Sequence, residues 1–259
     1  MNKHVLELNK NGYTIIDSVP FLELQELKET LINIIKKSYL KNIGKLDVPQ
    51  NEDYVLNNMF IELENKSHSF ITKIFDSVRL TSSYLKVVTS PKHIEYCKKL
   101  FNSNENFDLF INSMSVRMDP PKSTKFSYGW HTDGDVNINK SVFIQSWTPL
   151  VDINEELGGL EIIENSHINE VKTEHTDLVN SEVKKGNRLT NLLCLQPPHD
   201  RKIITPEAKQ KILTANFGQT IFFSNKLMHR SGINLSKNKV RLALTAFYHR
   251  SDIAESDWY

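Results

Sequence analysis

The chain has 259 residues, and its 32 lysines and arginines nearly balance its 31 aspartates and glutamates. That length suffices for one domain with its own core, while the balanced charge disfavours a nucleic-acid-binding surface. Its two cysteines are far apart, and no apolar run approaches the roughly 18 residues that span a bilayer, so we expect one cytoplasmic domain over residues 1–259 without disulfides or membrane contact.

The amino-terminal part of the sequence predicts a layer of helices. Residues 12–16 are rich in β-branched and aromatic side chains and predict a short strand. A second helical region covers residues 68–102, in which Ser90 and Pro91 are typical of a helix start. Between the two, apolar residues recur at three- and four-residue steps and predict an amphipathic helix: Phe21, Leu24, Leu27, Leu31, Ile34 and Ile35. We expect a helical layer over about residues 18–105, packed against a sheet.

The rest of the sequence predicts antiparallel strands. Short apolar runs separated by turn residues occur at 108–118, 142–150, 159–164, 219–224 and 240–249. Helices precede strands without the alternation that a parallel sheet requires, so the pattern predicts a jelly roll over about residues 108–250. Residues 167–216 show weak periodicity and predict an insertion or lid. The expected fold class is mainly β with flanking helices.

One short motif combines metal-binding side chains. If the chain is extended at residues 131–133, His131 and Asp133 point to the same side. Two histidines and one carboxylate form a facial site that leaves positions open on iron(II). The candidate for the second histidine is His229, which follows a predicted strand at residues 221–224.

The same letters also occur elsewhere, so the motif alone is weak. His175 and Asp177 repeat the pattern, and His199 and Asp200 form another pair. His175 lies in a polar region, whereas His131 is preceded by aromatic residues and followed by a predicted strand. We therefore favour His131 as the metal ligand and interpret His175 as a residue of a solvated loop.

An arginine in the last predicted strand adds a separate requirement. Strict alternation places Arg241 on one face with Ala243, Thr245 and Phe247. If this face lines the barrel, the guanidinium needs a carboxylate partner, and a bound dicarboxylate would match its geometry. The alternative is an arginine on an edge strand paired with a surface glutamate.

Together these residues resemble the phytanoyl-CoA dioxygenase-like family of iron(II)- and 2-oxoglutarate-dependent oxygenases. The resemblance covers most of the chain, from the segment 11–16 through the His131–Asp133 motif to the arginine near the end. The middle of the sequence carries further segments similar to the family, at 146–150, 158–163 and 166–167. Asn165 stands where the family has glycine.

The resemblance implies a double-stranded β-helix, cupin-like in form, with iron(II) held by His131, Asp133 and His229. It also implies that 2-oxoglutarate chelates the metal, and that dioxygen is used to oxidise a substrate while 2-oxoglutarate becomes succinate and CO2. Arg241 and Ser231 would hold the far carboxylate. Trp147 would line the co-substrate, with a core indole as the alternative, and Arg117 would supply another polar contact. Because Asp133 fills the position that related halogenases leave empty, we expect hydroxylation or another oxidation.

The substrate is predicted only by charge. Residues 183–211 contain seven basic and two acidic side chains, which as a lid would favour a small anionic metabolite, although a solvated basic loop explains them equally well. Two other functions stay open at this point. A zinc hydrolase could use the same three ligands but leaves Arg241 and Ser231 unexplained, and a non-catalytic ligand-binding jelly roll would have no need to keep all four residues. The sequence leaves the oligomeric state open.

Overall fold

The amino-terminal part of the chain is a layer of helices interrupted by one strand. A computed structural model describes residues 2–45, 47–103, 105–123, 129–135, 142–175 and 201–252. The elements of this layer are α1 (Lys3–Asn11), β1 (Tyr13–Ile16), α2 (Phe21–Asn42), α3 (Glu52–Tyr54), a π-helix (Val55–Met59), α4 (Phe60–Lys66), α5 (His68–Val78), α6 (Ser82–Val88) and α7 (Pro91–Leu100). No helix within these ranges has the length and apolarity to cross a membrane.

The remaining strands form antiparallel sheets. They are β2 (Leu109–Asp119), β3 (Phe143–Pro149), β4 (Leu160–Ile163), β5 (Thr173–His175), β6 (Arg201–Ile203), β7 (Gln210–Leu213), β8 (Thr220–Ser224), β9 (His229–Ser231) and β10 (Arg241–Arg250). The major sheet has five strands in the order β1-β8-β3-β10-β2, and the minor sheet has three in the order β7-β4-β9. β5 and β6 pair separately. The predicted jelly roll with its helical layer is confirmed.

The major sheet separates two apolar cores. Its outer face packs against the helices, with Phe222, Leu242 and Leu244 in that core. Its inner face packs toward the minor sheet, with Trp147 and Phe223 in the second core. β3 is buried at every residue because it lies in the middle of the sheet with both faces covered. The side chains on the inner face therefore point into the space between the two sheets.

The structure differs from the sequence prediction in four respects. Region 68–102 is three helices, because the chain turns at residues 79–81 and Thr81 Oγ1 accepts from Tyr84 N at 3.2 Å to start α6. α7 begins at Pro91 as predicted, but the Ser90 hydroxyl makes no capping bond. Residues 210–213, inside the predicted insertion, are strand β7, which pairs with β4 in the minor sheet. α1 was not predicted, and the helices of residues 52–66 fall in the expected helical layer but were not predicted as separate elements.

A buried polar chain links the helical layer to the major sheet. His93 Nδ1 lies 2.9 Å from Ser18 Oγ, and Ser18 Oγ donates to Thr220 Oγ1 at 2.8 Å. Thr220 Oγ1 is also 2.9 Å from Thr148 Oγ1. The His93 ring is 5.0 Å from the Phe222 ring, and its Nε2 has no hydrogen-bond partner within the described ranges. Burial therefore lowers the pKa of His93 to about 3.

Because of His93, we expect the free energy of unfolding to fall as the pH drops from about 6.5, the ordinary histidine pKa. Below that pH the unfolded chain takes up a proton that the folded chain refuses until about pH 3, so the stability declines through this window. The slope from one such group is at most about 1.4 kcal/mol per pH unit. Urea unfolding from pH 4 to pH 7 should give a flatter profile for His93→Gln than for the wild type. Equal slopes would contradict this account.

Candidate metal centre

Three predicted ligands meet at one end of the space between the sheets. His131, Asp133 and His229 are all buried, and their ligand atoms lie within 4.8 Å of one another. His131 Nε2 is 3.5 Å from Asp133 Oδ1, and His229 Nε2 is 3.3 Å from Asp133 Oδ2. The centres of the two imidazole rings are 4.2 Å apart. The spacing suits one ion bound between all three.

Main-chain pairing brings the two histidines together. His131 and His229 form an isolated antiparallel bridge, with N to O distances of 3.0 and 2.9 Å in the two directions. Asp133, however, begins a 3₁₀ turn over Asp133–Asp135, so the condition that the chain is extended at residues 131–133 is not met. The turn is fixed because Gly134 N donates to Asn225 O at 3.0 Å. Asp133 reaches the site through this turn rather than by strand alternation.

The segment at 163–167 supports the chain just before His229. Met228 N donates to Ser166 Oγ at 2.8 Å, and Ser166 Oγ donates to Ile163 O at 2.8 Å. Asn165 has φ +61°, a left-handed conformation that asparagine tolerates better than most residues. This explains how asparagine can occupy a position where the related family has glycine.

Both imidazoles are oriented by main-chain carbonyls. His131 Nδ1 is 2.7 Å from Gly129 O, and His229 Nδ1 is 2.9 Å from Leu227 O. A carbonyl only accepts hydrogen bonds, so the proton of each neutral ring sits on Nδ1 and the lone pair on Nε2. Each Nε2 lone pair therefore points toward the carboxylate of Asp133, which is the orientation a metal ligand needs.

Burial keeps His229 neutral and opposes the charge of Asp133. Burial, followed by the charge of His131, lowers the pKa of His229 to about 4. Burial would raise the pKa of Asp133, but the charge of His229 and the interactions with His131 and Gln145 lower it below the usual carboxyl value. Near neutral pH the site thus holds a carboxylate and a neutral His229, the forms that bind a cation.

Gln145 is a site residue that the sequence did not identify. It lies on the inner face of β3 opposite Phe247 and Phe223, is 3% exposed, and contributes to lowering the pKa of Asp133. Its Nε2 nevertheless has no acceptor in hydrogen-bond geometry among the described residues. The signal in the sequence was its position two residues before Trp147, which places both side chains on one face.

The predicted co-substrate residues also face the space between the sheets. Trp147 lies opposite Thr245 in the inner core, and Arg117 lies opposite Ala243 on β10. Ser231 is two residues after His229 on β9 and pairs with Leu160, so it shares the face of that histidine. Their roles toward a co-substrate stay predictions.

Arg241 has a partner that the sequence did not predict. Its Nε and Nη2 donate to Asp119 Oδ2 at 3.1 and 2.8 Å, and its Nη1 donates to Gly158 O and Gly232 O at 2.5 and 2.6 Å. Arg241 does lie on the inner face and has a carboxylate partner, as the alternation required, but that carboxylate belongs to the chain itself. The alternative of an edge-strand arginine paired with a surface glutamate is therefore wrong. The role of Arg241 in binding a dicarboxylate stays a prediction.

Other candidates fall partly outside the described residues. Asp177, His199, Asp200 and Cys194 lie outside them, as do the basic residues Lys184, Lys185 and Arg188, and the side chain of His175 is not described either. The other four basic residues of the predicted lid are described. Of these, Arg201 lies on β6 and forms an isolated bridge with Trp130, the neighbour of His131.

Comparison with solved structures shows the same fold at low identity. The nogalamycin epimerase SnoN, crystallised with Fe3+, alpha-ketoglutarate and nogalamycin RO, has a TM-score of 0.57 at 15% identity, over 95% of this chain and 82% of that chain. The carbocyclase SnoK has a TM-score of 0.57 at 17% identity, over 96% and 84%. EvdO2 of Micromonospora carbonacea var. aurantiaca, complexed with 2-oxoglutarate, has 0.55 at 12%, over 97% and 91%. No curated protein sequence matches the chain.

A jelly roll with two histidines and one carboxylate between its sheets defines the class of non-haem iron oxygenases. Residues 8–243 match the phytanoyl-CoA dioxygenase (PhyH) family, and the chain belongs to that family. It is therefore an iron- and 2-oxoglutarate-dependent enzyme, which argues against the zinc hydrolase and the non-catalytic alternatives.

Proposed function

We propose that His131, Asp133 and His229 bind one iron(II) ion, and that this single-domain enzyme hydroxylates or otherwise oxidises a small anionic metabolite at the expense of 2-oxoglutarate. One observation carries the proposal. Asp133 Oδ2 makes no hydrogen bond in the described part of the chain, although His229 Nε2 lies 3.3 Å away. Because Nδ1 of His229 holds the proton, the lone pair on Nε2 faces a buried carboxylate oxygen. The two atoms repel each other, which is an electrostatic cost. A cation between them removes that cost.

The donor set fits iron(II). Two imidazole nitrogens and one carboxylate oxygen leave positions open for a chelating co-substrate and for dioxygen. When bound, iron with 2-oxoglutarate supplies the oxidising power, and succinate and CO2 are the by-products. The protein orients the ligands, because the carbonyls of Gly129 and Leu227 fix both rings. The apolar inner core around Trp147 and Phe223 excludes water from the chemistry.

The inner face supplies candidates for the co-substrate. We propose that Ser231 and Arg241 bind the far carboxylate of 2-oxoglutarate, that Trp147 packs along its carbon chain, and that Arg117 adds a polar contact. The support is positional. Arg241 donates to the carbonyl of Gly232, the residue after Ser231, so the arginine and the strand that carries His229 are in contact.

The anionic substrate rests on the basic segment of residues 183–211. Its described part supports this placement, since the backbone bridge between Arg201 and Trp130 attaches the segment beside His131. Basic side chains near the metal centre would attract an anionic substrate at a distance, and salt would screen that attraction.

The test is an anaerobic titration of metal-free protein with iron(II) and 2-oxoglutarate, monitored by the weak visible absorption of the chelate. We expect the band to appear, and succinate to form in air when a panel of anionic metabolites is added. A true substrate should bind more tightly at low salt. Tight zinc binding with no band would contradict the iron proposal, whereas affinity independent of salt would contradict only the anionic substrate.

Because Gln145 contributes to lowering the pKa of Asp133, it should strengthen metal binding by favouring the carboxylate form. We expect Gln145→Leu to weaken metal affinity by about 10–100-fold, the usual effect of removing a group that orients a ligand. The measurement is calorimetric titration of metal-free protein with Mn(II). Ser146→Ala is the matched control, because the neighbouring Ser146 Oγ points away and donates to Ala246 O. Unchanged affinity in Gln145→Leu would contradict this role.

A further inference from the structure

The carboxylate of Asp119 occupies the edge of Arg241 that a ligand would use. Asp119 lies directly opposite Arg241 in the pairing of β2 with β10, on the inner face. An arginine has five N–H donors, and four of those in Arg241 are used: two by Asp119 Oδ2 and two by main-chain carbonyls. The Nε and Nη2 edge, the one suited to a carboxylate, is taken by the protein.

The opposite edge of Arg241 is held by rigid backbone. Its two acceptors are the carbonyls of Gly158 and Gly232. Gly158 has φ +83°, and a Cβ there would lie 2.6 Å from Ile233 O, so the backbone is packed too tightly for any other residue. Arg241 therefore keeps its position even if Asp119 turns away.

Asp119 has a second cation within reach. Its Oδ1 is 3.4 Å from Arg117 Nη2, a longer contact than the one to Arg241. The Asp119 and Arg241 side chains are only 5% and 4% exposed. Burial would raise the pKa of Asp119, but the charges of Arg241 and Arg117 hold it below its ordinary value, so it is a carboxylate near neutral pH. A rotation toward Arg117 would keep this charge paired while Arg241 is released.

We propose that Asp119 competes with the far carboxylate of 2-oxoglutarate for Arg241, and thereby lowers the affinity of the enzyme for its co-substrate. This inference rests on the proposed function. In the free enzyme Asp119 neutralises Arg241. On binding, the far carboxylate takes over the Nε and Nη2 edge and Asp119 turns to Arg117. If Arg241 is available only about a tenth of the time, the apparent affinity falls about tenfold.

The test compares two ligands on two proteins loaded with Mn(II). The ligands are 2-oxoglutarate and 2-oxopentanoate, which has a methyl group in place of the far carboxylate. In the wild type we expect a small preference for 2-oxoglutarate, because one carboxylate replaces another at Arg241. In Asp119→Asn the preference should grow about tenfold, since the internal competitor is neutral. Without ligand, Asp119→Asn should unfold at a lower temperature, and 2-oxoglutarate should raise that temperature more than in the wild type.

Controls separate the possible failures. Asp119→Ser repeats the test if the asparagine variant folds poorly, and Asp108→Asn removes the same charge from an exposed carboxylate just before β2. Weaker 2-oxoglutarate binding in Asp119→Asn, with Mn(II) binding unchanged, would overturn the proposal, because Asp119 would then assist the co-substrate. An unchanged preference would also overturn it. Absence of metal-dependent 2-oxoglutarate binding in the wild type would instead overturn the proposed function.

Discussion

Replacing His131 by alanine is expected to abolish turnover of 2-oxoglutarate and to weaken metal binding more than the roughly 10–100-fold lost when an orienting group is removed. His131 offers one of the three proposed ligand atoms, which lie within 4.8 Å of one another, so the two remaining donors cannot form a facial site. Succinate formation and Mn(II) titration measure the two effects, and Asp133→Ala should behave similarly.

The control for this result is His4→Ala, which removes an imidazole from α1, distant in sequence from the three ligands. Both alanine variants at the centre should keep the fold, as judged by circular dichroism. If either retained most of its 2-oxoglutarate turnover, the metal assignment would be wrong.

Replacing Arg241 by alanine is expected to lower the free energy of unfolding by about 3–5 kcal/mol, in addition to weakening 2-oxoglutarate binding. The substitution leaves the buried Asp119 carboxylate without its closest cation, and it also leaves the carbonyls of Gly158 and Gly232 without their shared donor. Urea unfolding measures the loss. If Arg241 served only the co-substrate, stability would be unchanged.

A double variant distinguishes loss of the ion pair from loss of packing. Replacing Arg241 by Met and Asp119 by Leu removes both charges, so no buried carboxylate is left behind. We expect the double variant to be more stable than Arg241→Ala, although its 2-oxoglutarate binding should stay weak. A double variant less stable than Arg241→Ala would show that the pair itself stabilises the fold.

Local sequence patterns predicted the strands well because each face of a strand packs against a single layer of the protein. The alternation around Arg241 placed its face correctly, and the turn residues bounded β3, β4 and β8 within one or two positions. The predicted insertion wrongly included β7, because this strand is mostly exposed and lacks an apolar pattern. Helices α3 and α4 with the π-helix between them were not predicted as separate elements, although Val55, Met59 and Leu63 recur at four-residue steps.

Contacts between residues that are far apart in sequence limited how much of the candidate site could be predicted. The three ligands could be proposed because residue type restricts them to a few positions. Asp119, by contrast, is 122 residues from Arg241 in sequence, and no local feature marks it as the partner. Asp133 lies beside the two histidines, but a 3₁₀ turn rather than an extended chain places it there, and its role as a ligand stays a prediction.

The main-chain bridge between His131 and His229 closes one end of the barrel, and the metal centre lies at this closure. The amide hydrogen of each histidine is held by the carbonyl of the other, so neither can exchange with solvent deuterium until this end of the barrel separates. The two amides thus report directly on opening of the site, in the metal-free protein as well as in the loaded one. Their protection factors measure the free energy of this opening, and therefore the fraction of molecules in which the two histidines have separated.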